Sequence, residues 1–177
     1  MRIIAGSRKG ARIFAPKSAA RPTGDRVREA AFNLIGPVDD MAVLDLFAGS
    51  GAMGLEALSR GAGSAVLVEP DREAQRTIER NLEKLGLTGA TLLKTDARRA
   101  LSAEAAAGRR YDLVLVDPPY RMLDTLLPML SNYVPAVLAE DGLVVLETPK
   151  REHPELPLSE RTSRAYGSVR LTVFERR

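Results

Sequence analysis

The chain has no cysteine and a single histidine, His153, among 177 residues. The first absence excludes disulfide frameworks, thiolate nucleophiles and Cys-based zinc sites. The second removes the usual metal clusters and a His-based triad, so a metal-free protein is expected. No run of about 18 apolar residues occurs, and no transmembrane helix is expected. The opening residues, Met1 to Lys9, carry charge but no apolar stretch of signal-peptide length. These absences point to a cytoplasmic protein with no membrane partner. There is no internal repeat, and the only low-complexity tract is the short Ala-rich region 103–107. At 45% hydrophobic the chain can bury one good core. It reads most simply as one domain over 1–177, expected to be a monomer.

The net charge of +3 is unevenly placed. Residues 1–28 hold Arg2, Arg8, Lys9, Arg12, Lys17, Arg21, Arg26 and Arg28 against Asp25 alone, a local charge of +7 that leaves −4 for the rest. Such a concentration points to a polyanion docking at that end. A basic run by itself reads more simply as a solvated tail. Here it interleaves with Ile3, Ile4, Ala11, Ile13 and Phe14 around Gly6 and Gly10. That pattern fits a small basic β-hairpin over 1–20 better than a disordered arm.

From Asp25 onward the periodicity is regular. Val27, Ala30, Ala31, Leu34 and Ile35 predict a helix over 25–35, stopped by Gly36-Pro37. Strands are then expected at 41–44, 64–68, 90–94, 112–116 and 143–147. Helices are expected at 52–60, 72–85, 97–107 and 122–138, the third of these following Asp96 and the second ending at Gly86. Strands alternating with helices imply a mostly parallel sheet covered on both faces. Segments 162–165 and 169–175 flank Tyr166-Gly167-Ser168 with no helix between them, a hairpin signal. The fold class is α/β, a Rossmann-like, mostly parallel seven-stranded sheet ending in an antiparallel hairpin. The polar, proline-bearing loop 149–157 has no assigned role.

Two loops follow buried strands, where ligands bind in open α/β sheets. The first, Asp45-Leu-Phe-Ala-Gly-Ser-Gly51, runs into Ala52-Met53-Gly54 and so also satisfies G-x-G-x-x-G. Asp45 discriminates. A carboxylate four residues before Gly49 would repel a pyrophosphate, but favours the ammonium and sulfonium of S-adenosylmethionine. Asp45 also reads as a turn aspartate that bonds local amides. Glu69, 24 residues further on, can accept from ribose hydroxyls, a role shared with NAD enzymes, or can be a helix-start acid before Pro70. Asp96 can accept from an adenine amino group while the Ala97 amide donates to the ring. It can equally be a helix N-cap.

The second loop, Asp117-Pro118-Pro119-Tyr120, is prearranged by its prolines. Asp117 and the Pro118 carbonyl can each accept an N–H from a planar amine, turning its nitrogen toward a methyl donor, and Tyr120 offers a face for stacking. Together the loops imply methyl transfer from S-adenosylmethionine to an exocyclic or amide nitrogen.

The glycine-rich loop, Glu69, Asp96 and Asp117-Pro-Pro-Tyr120 match in order the amino-methyltransferases of the S-adenosylmethionine superfamily. The start Arg2-Ile-Ile-Ala-Gly6, the segment Arg21-Pro-Thr-Gly-Asp-Arg-Val-Arg-Glu29 and the Tyr166-Gly tail resemble one family more closely. It is the bacterial RsmD type, which methylates guanine N2 in 16S ribosomal RNA. The resemblance spans nearly the whole chain. It implies that Asp45, Phe47, Ala48, Gly49 and Gly51 hold the methionyl end, Glu69 and Pro70 the ribose, and Asp96 and Ala97 the adenine. Asp117, Pro118, Pro119 and Tyr120 would face the target amine. It implies RNA contacts from Arg2, Arg8, Lys9, Arg12, Arg21, Thr23, Arg26 and Arg28, with 16S ribosomal RNA or the small-subunit particle as partner. Gly24 stands where the family usually carries Thr, which removes a polar contact there.

Readings from other classes stay open at this point. A DNA adenine or protein glutamine N-methyltransferase shares the Asp-Pro-Pro-aromatic loop. An NAD-dependent dehydrogenase shares the glycines and Glu69 but leaves Asp117 to Tyr120 unexplained. A non-catalytic RNA-binding domain needs none of the carboxylates.

Overall fold

Alternation of apolar strands and amphipathic helices produces one seven-stranded sheet in the computed structural model, which describes residues 1–16 and 24–176. Helix α1 (Asp25–Ile35) precedes β1 (Ala42–Asp45), α2 (Ala52–Ser59), β2 (Ser64–Val68), α3 (Arg72–Leu85), β3 (Ala90–Leu93), α4 (Ala97–Ala106) and β4 (Tyr111–Val116). Then come α5 (Leu123–Val137), β5 (Leu138–Pro149), β6 (Ser159–Tyr166) and β7 (Val169–Glu175). The sheet order is β3-β2-β1-β4-β5-β7-β6. Strands β1 to β5 run parallel, and β7 pairs antiparallel with both β5 and β6.

Two-residue periodicity splits each central strand between two cores. Val43, Leu113 and Leu115 pack with α1, α2 and α3 through Phe32, Ile35, Ala57 and Ile78. Leu44, Val114 and Val116 face α4 and α5 through Leu101, Leu130 and Val134. Among the described residues no helix is long and apolar enough to cross a membrane.

Most predicted elements sit within a residue or two of their expected ends, and two regions differ. The helix expected over 122–138 runs Leu123–Val137, preceded by a 3-10 turn at Tyr120–Met122 and followed directly by β5 at Leu138. Strand β5 is longer than 143–147 because Leu138 pairs with Tyr111 before the chain bulges out and re-enters the ladder at Leu143. The N-terminal segment is less regular than a β-hairpin. Arg2 and Arg12 form a single antiparallel bridge around a 3-10 turn at Gly6–Arg8, and residues 17–20 lie outside the described ones. Docking on the helices adds to three cross-arm bonds, from the amides of Ile3 to Ala11 O (2.9 Å), Gly10 to Ile3 O (2.8 Å) and Ile13 to Met1 O (3.1 Å). Ile3 and Ile13 are buried against Ala52, Leu55 and Leu85, while Glu56 accepts from the amides of Ile4 (2.7 Å) and Ala5 (2.9 Å).

Candidate active site

Four neighbouring parallel strands end in an acid: β2 runs into Glu69, β1 ends at Asp45, β4 runs into Asp117, and β5 carries Glu147. Val116 pairs with Leu146, so Asp117 and Glu147 come side by side, and Asp45 lies between the β2 and β4 ends. Among the described residues no three His, Cys, Asp or Glu side chains gather closely enough to hold a metal ion. The acids form a row along the sheet edge, not a cage.

Asp45 is only 2% exposed, and its Oδ2 accepts from the Gly54 amide at 3.1 Å. Burial drives its carboxyl up to about 7; the Gly54 hydrogen bond opposes this, Asp117 raises it, the Phe47 amide lowers it and Glu69 adds a further rise. A buried carboxylate flanked by two others favours a cation beside it. Gly54 must lack a side chain, since a Cβ there would sit 2.1 Å from Leu67 Cδ2, and its absence lets α2 bring the amide to Asp45. Gly51, at φ 81°, caps α2 in the left-handed conformation that glycine adopts without strain.

Glu69 links two turns. Its Oε2 accepts from the Gly49 amide and its Oε1 from the Asp71 amide, both at 2.8 Å, and burial raises its pKa. Each oxygen keeps a second acceptor direction. Asp96 is the N-cap of α4, accepting from Arg99 N at 3.0 Å, with its side chain exposed and Ala97 buried behind it. Phe47 is half-buried and Ala48 buried; the Ala48 amide donates to Val68 O at 3.0 Å, tying the loop to β2. Pro70 is exposed beside Glu69.

At the second loop Pro118 is buried, Asp117 and Tyr120 are half-buried, and Pro119 is exposed. The Tyr120 hydroxyl donates to Glu147 Oε1 at 2.9 Å. Glu147 is absent from the sequence-derived set. Its signal is present, because Leu143-Val-Val-Leu-Glu147 repeats the apolar-run-then-acid pattern of the other three strands.

The basic N-terminus divides by environment. Lys9, Arg12 and Arg26 are exposed, and Arg2 is exposed but pairs with Asp25 at 3.2 Å. One expected RNA contact, Arg28, is corrected, and a second, Arg8, is half-buried and engaged within the fold. Arg28 is 0% exposed, donating to Asp25 Oδ1 (2.9 Å) and to the Arg2 carbonyl, with Glu56 at 3.7 Å. It is a folding residue that cannot meet a phosphate from there. Arg8 turns inward to the last carbonyls of α3, on Leu85 and Gly86, where a cation complements the helix's negative end. Arg21 and Thr23 lie outside the described residues.

The sheet order, the acid row and the left-handed glycine turn together define a Rossmann-like, S-adenosylmethionine-dependent methyltransferase. The family model described as "Conserved hypothetical protein 95" matches residues 1–175, and the chain belongs to this family, the RsmD type. Ribosomal RNA small subunit methyltransferase D of Escherichia coli K12 is 40% identical over 152 residues, covering 84% of this chain and 74% of the relative. The Bacillus subtilis protein YlbH is 40% identical over 185 residues, covering 100% of both chains. Among solved structures, a hypothetical protein of Thermus thermophilus superposes with a TM-score of 0.86 at 37% identity, covering 99% of each chain.

Proposed function

We propose that this protein transfers a methyl group from S-adenosylmethionine to the exocyclic N2 of a guanine in 16S ribosomal RNA, free or within the small-subunit particle. One observation carries the reading: Asp45, buried with a carboxyl raised to about 7, lies at the end of the strand next to the one that presents Asp117. The first carboxylate favours a cationic cofactor, and the second reaches an acceptor amine beside it. The name of the Escherichia coli relative supports the substrate class.

Bound S-adenosylmethionine would supply an electrophilic methyl group on a sulfonium, leaving as the neutral thioether, and the proton the amine must lose would pass to solvent. The residues of this chain do the positioning. Asp45 holds the positive methionyl end with Phe47, Ala48, Gly49 and Gly51, Glu69 and Pro70 meet the ribose, and Asp96 and Ala97 meet the adenine. Asp117 and the Pro118 carbonyl accept N–H bonds from the amine, and Asp117 supports the positive charge that develops on nitrogen. Pro119 stiffens the loop, and Tyr120, anchored on Glu147, stacks on the base.

Transfer of labelled methyl to a 16S transcript and to small-subunit particles, followed by mapping of the modified base, tests the proposal. Label at guanine N2 is expected. Label on adenine, on protein or on DNA, or no label on any RNA, overturns it.

A further inference from the structure

Helix α3 carries Arg72, Arg76, Arg80 and Lys84 four residues apart, and all four are exposed. At that spacing they line one outer face over about 18 Å. Like charges at this spacing destabilise a helix. Among the described residues none of the four is in an ion pair with a carboxylate, and Glu79 of the same helix pairs outward with Lys94 at 2.7 Å.

At the far end of this stripe stands Phe14, 38% exposed, with Arg80 4.1 Å and Lys84 4.6 Å from its ring centroid. The backbone of Phe14 is fixed by Asn81, which is wholly buried. Phe14 N donates to Asn81 Oδ1 (2.8 Å), and Asn81 Nδ2 donates to the carbonyls of Phe14 (3.0 Å) and Ser50 (3.0 Å). One side-chain amide therefore ties the basic N-terminal segment to α3 and to the glycine-rich loop. The near end of the stripe, Arg72, follows Glu69 by three residues at the mouth of the site.

We infer that the outer face of α3, together with Phe14 and the exposed Arg12, is an RNA-binding track that leads a strand from the N-terminal segment to the active-site mouth. It rests on the proposed methyltransferase reading for the identity of the polyanion and for its direction. Aligned cations fit a phosphate backbone, and the exposed ring with its stacked guanidinium fits unpaired bases.

The test compares R76Q/R80Q on the track with R110Q/R161Q, an equal charge loss at exposed positions away from it. Gln keeps helix propensity close to that of Arg. Binding of a 16S transcript is measured across a salt series, with S-adenosylmethionine binding and labelled-methyl transfer alongside. The track variant is expected to bind RNA about tenfold more weakly, with a log–log salt slope reduced by roughly 1.4–1.8 for two lost phosphates. Cofactor binding stays at the wild-type value, and the control variant binds RNA as the wild type does. Wild-type RNA affinity and slope in R76Q/R80Q, or an equal loss in the control, overturns the track. So does weakened binding to small-subunit particles with unchanged binding to naked RNA, which assigns the face to a protein. If wild-type protein methylates no RNA yet the track variant alone loses RNA binding, the methyltransferase proposal falls and the track stands.

Discussion

The sheet edge and the N-terminal–α3 face treat charge in opposite ways. At the edge, Asp45, Glu69 and Glu147 are buried at the ends of neighbouring strands and held by amides or a hydroxyl. On the face, Arg12, Arg76 and Arg80 are exposed. Arg28 is as basic as its neighbours in sequence, yet buried against Glu56 and Asp25. Like charges crowded in a low-dielectric edge cost free energy until a cation arrives, whereas exposed cations lose little in water and gain by releasing counterions to a polyanion. Arg28 does neither, because its charge is already engaged in joining α1, α2 and the N-terminal segment. Burial, more than residue type, separates these roles.

Breaking the junction gives the largest effect. Arg28→Ala leaves buried Glu56 with Arg60 (2.8 Å) as its one cation beside the Ile4 and Ala5 amides, and loss of one member of a buried pair costs on the order of 3–5 kcal/mol. Denaturant melts should show that loss, while the RNA salt slope of the folded fraction stays at the wild-type value. A changed slope would return Arg28 to the RNA surface.

Asp117→Ala should cut methyl transfer about a hundredfold or more, roughly 2.7 kcal/mol in the barrier, with cofactor affinity nearly unchanged. Single-turnover rates and calorimetry separate the two. A parallel loss of cofactor binding would make Asp117 part of the cofactor site.

Asp45→Asn should weaken S-adenosylmethionine about tenfold to a hundredfold, since charge-assisted hydrogen bonds contribute on the order of 1.5–3 kcal/mol. Stability should move the other way. The folded protein keeps the Asp45 proton up to about pH 7, whereas the unfolded chain releases it near the ordinary aspartate value of 3.8. The free protein therefore loses stability as pH rises from about 4 through 7, and the Asn variant, with nothing to ionise, escapes that loss. Melts between about pH 4 and 8 should show the variant gaining on the wild type as pH rises, by at most about 4 kcal/mol. Parallel curves would show that Asp45 is not strained by ionisation.

The smallest effect belongs to the Tyr120 anchor. Tyr120→Phe and Glu147→Ala should each slow transfer by about tenfold or less, and the double variant should be little worse than either, because each removes the same hydrogen bond. Tyr120→Ala, which removes the stacking face, should cost more. Fully additive losses would give Glu147 a separate role.

Much of this is legible in the sequence wherever a short-range rule applies. The 3.6-residue period over Asp25–Ile35 and Arg72–Leu85 marks both helix ends, and apolar runs closed by an acid mark three of the four strand ends. The failures come from long-range packing. Nothing local to Arg28 or Arg8 reveals that Glu56 and the end of α3 lie beside them. The basic stripe on α3 hides among interleaved glutamates, and its neighbour Phe14 is 66 residues away from Arg80 in sequence. Glu147 shares the apolar-run-then-acid pattern of the other three, and what ties it to the site is its partner Tyr120, 27 residues away.

The central claim is that the sheet edge is built to receive a cation at Asp45, and proton release on cofactor binding measures it directly. Calorimetric titrations with S-adenosylmethionine near pH ~6, in buffers of different ionisation enthalpy, give the protons exchanged. That pH lies below the ordinary range of an α-amino group, about 7.7–8.0, so the ligand keeps its charge. With the Asp45 carboxyl at about 7 in the free protein, binding of a cation should expel most of one proton near pH ~6. The release should fade toward pH ~8 and be missing in Asp45→Asn. No proton release near pH ~6, or the same release from the Asn variant, would contradict the account.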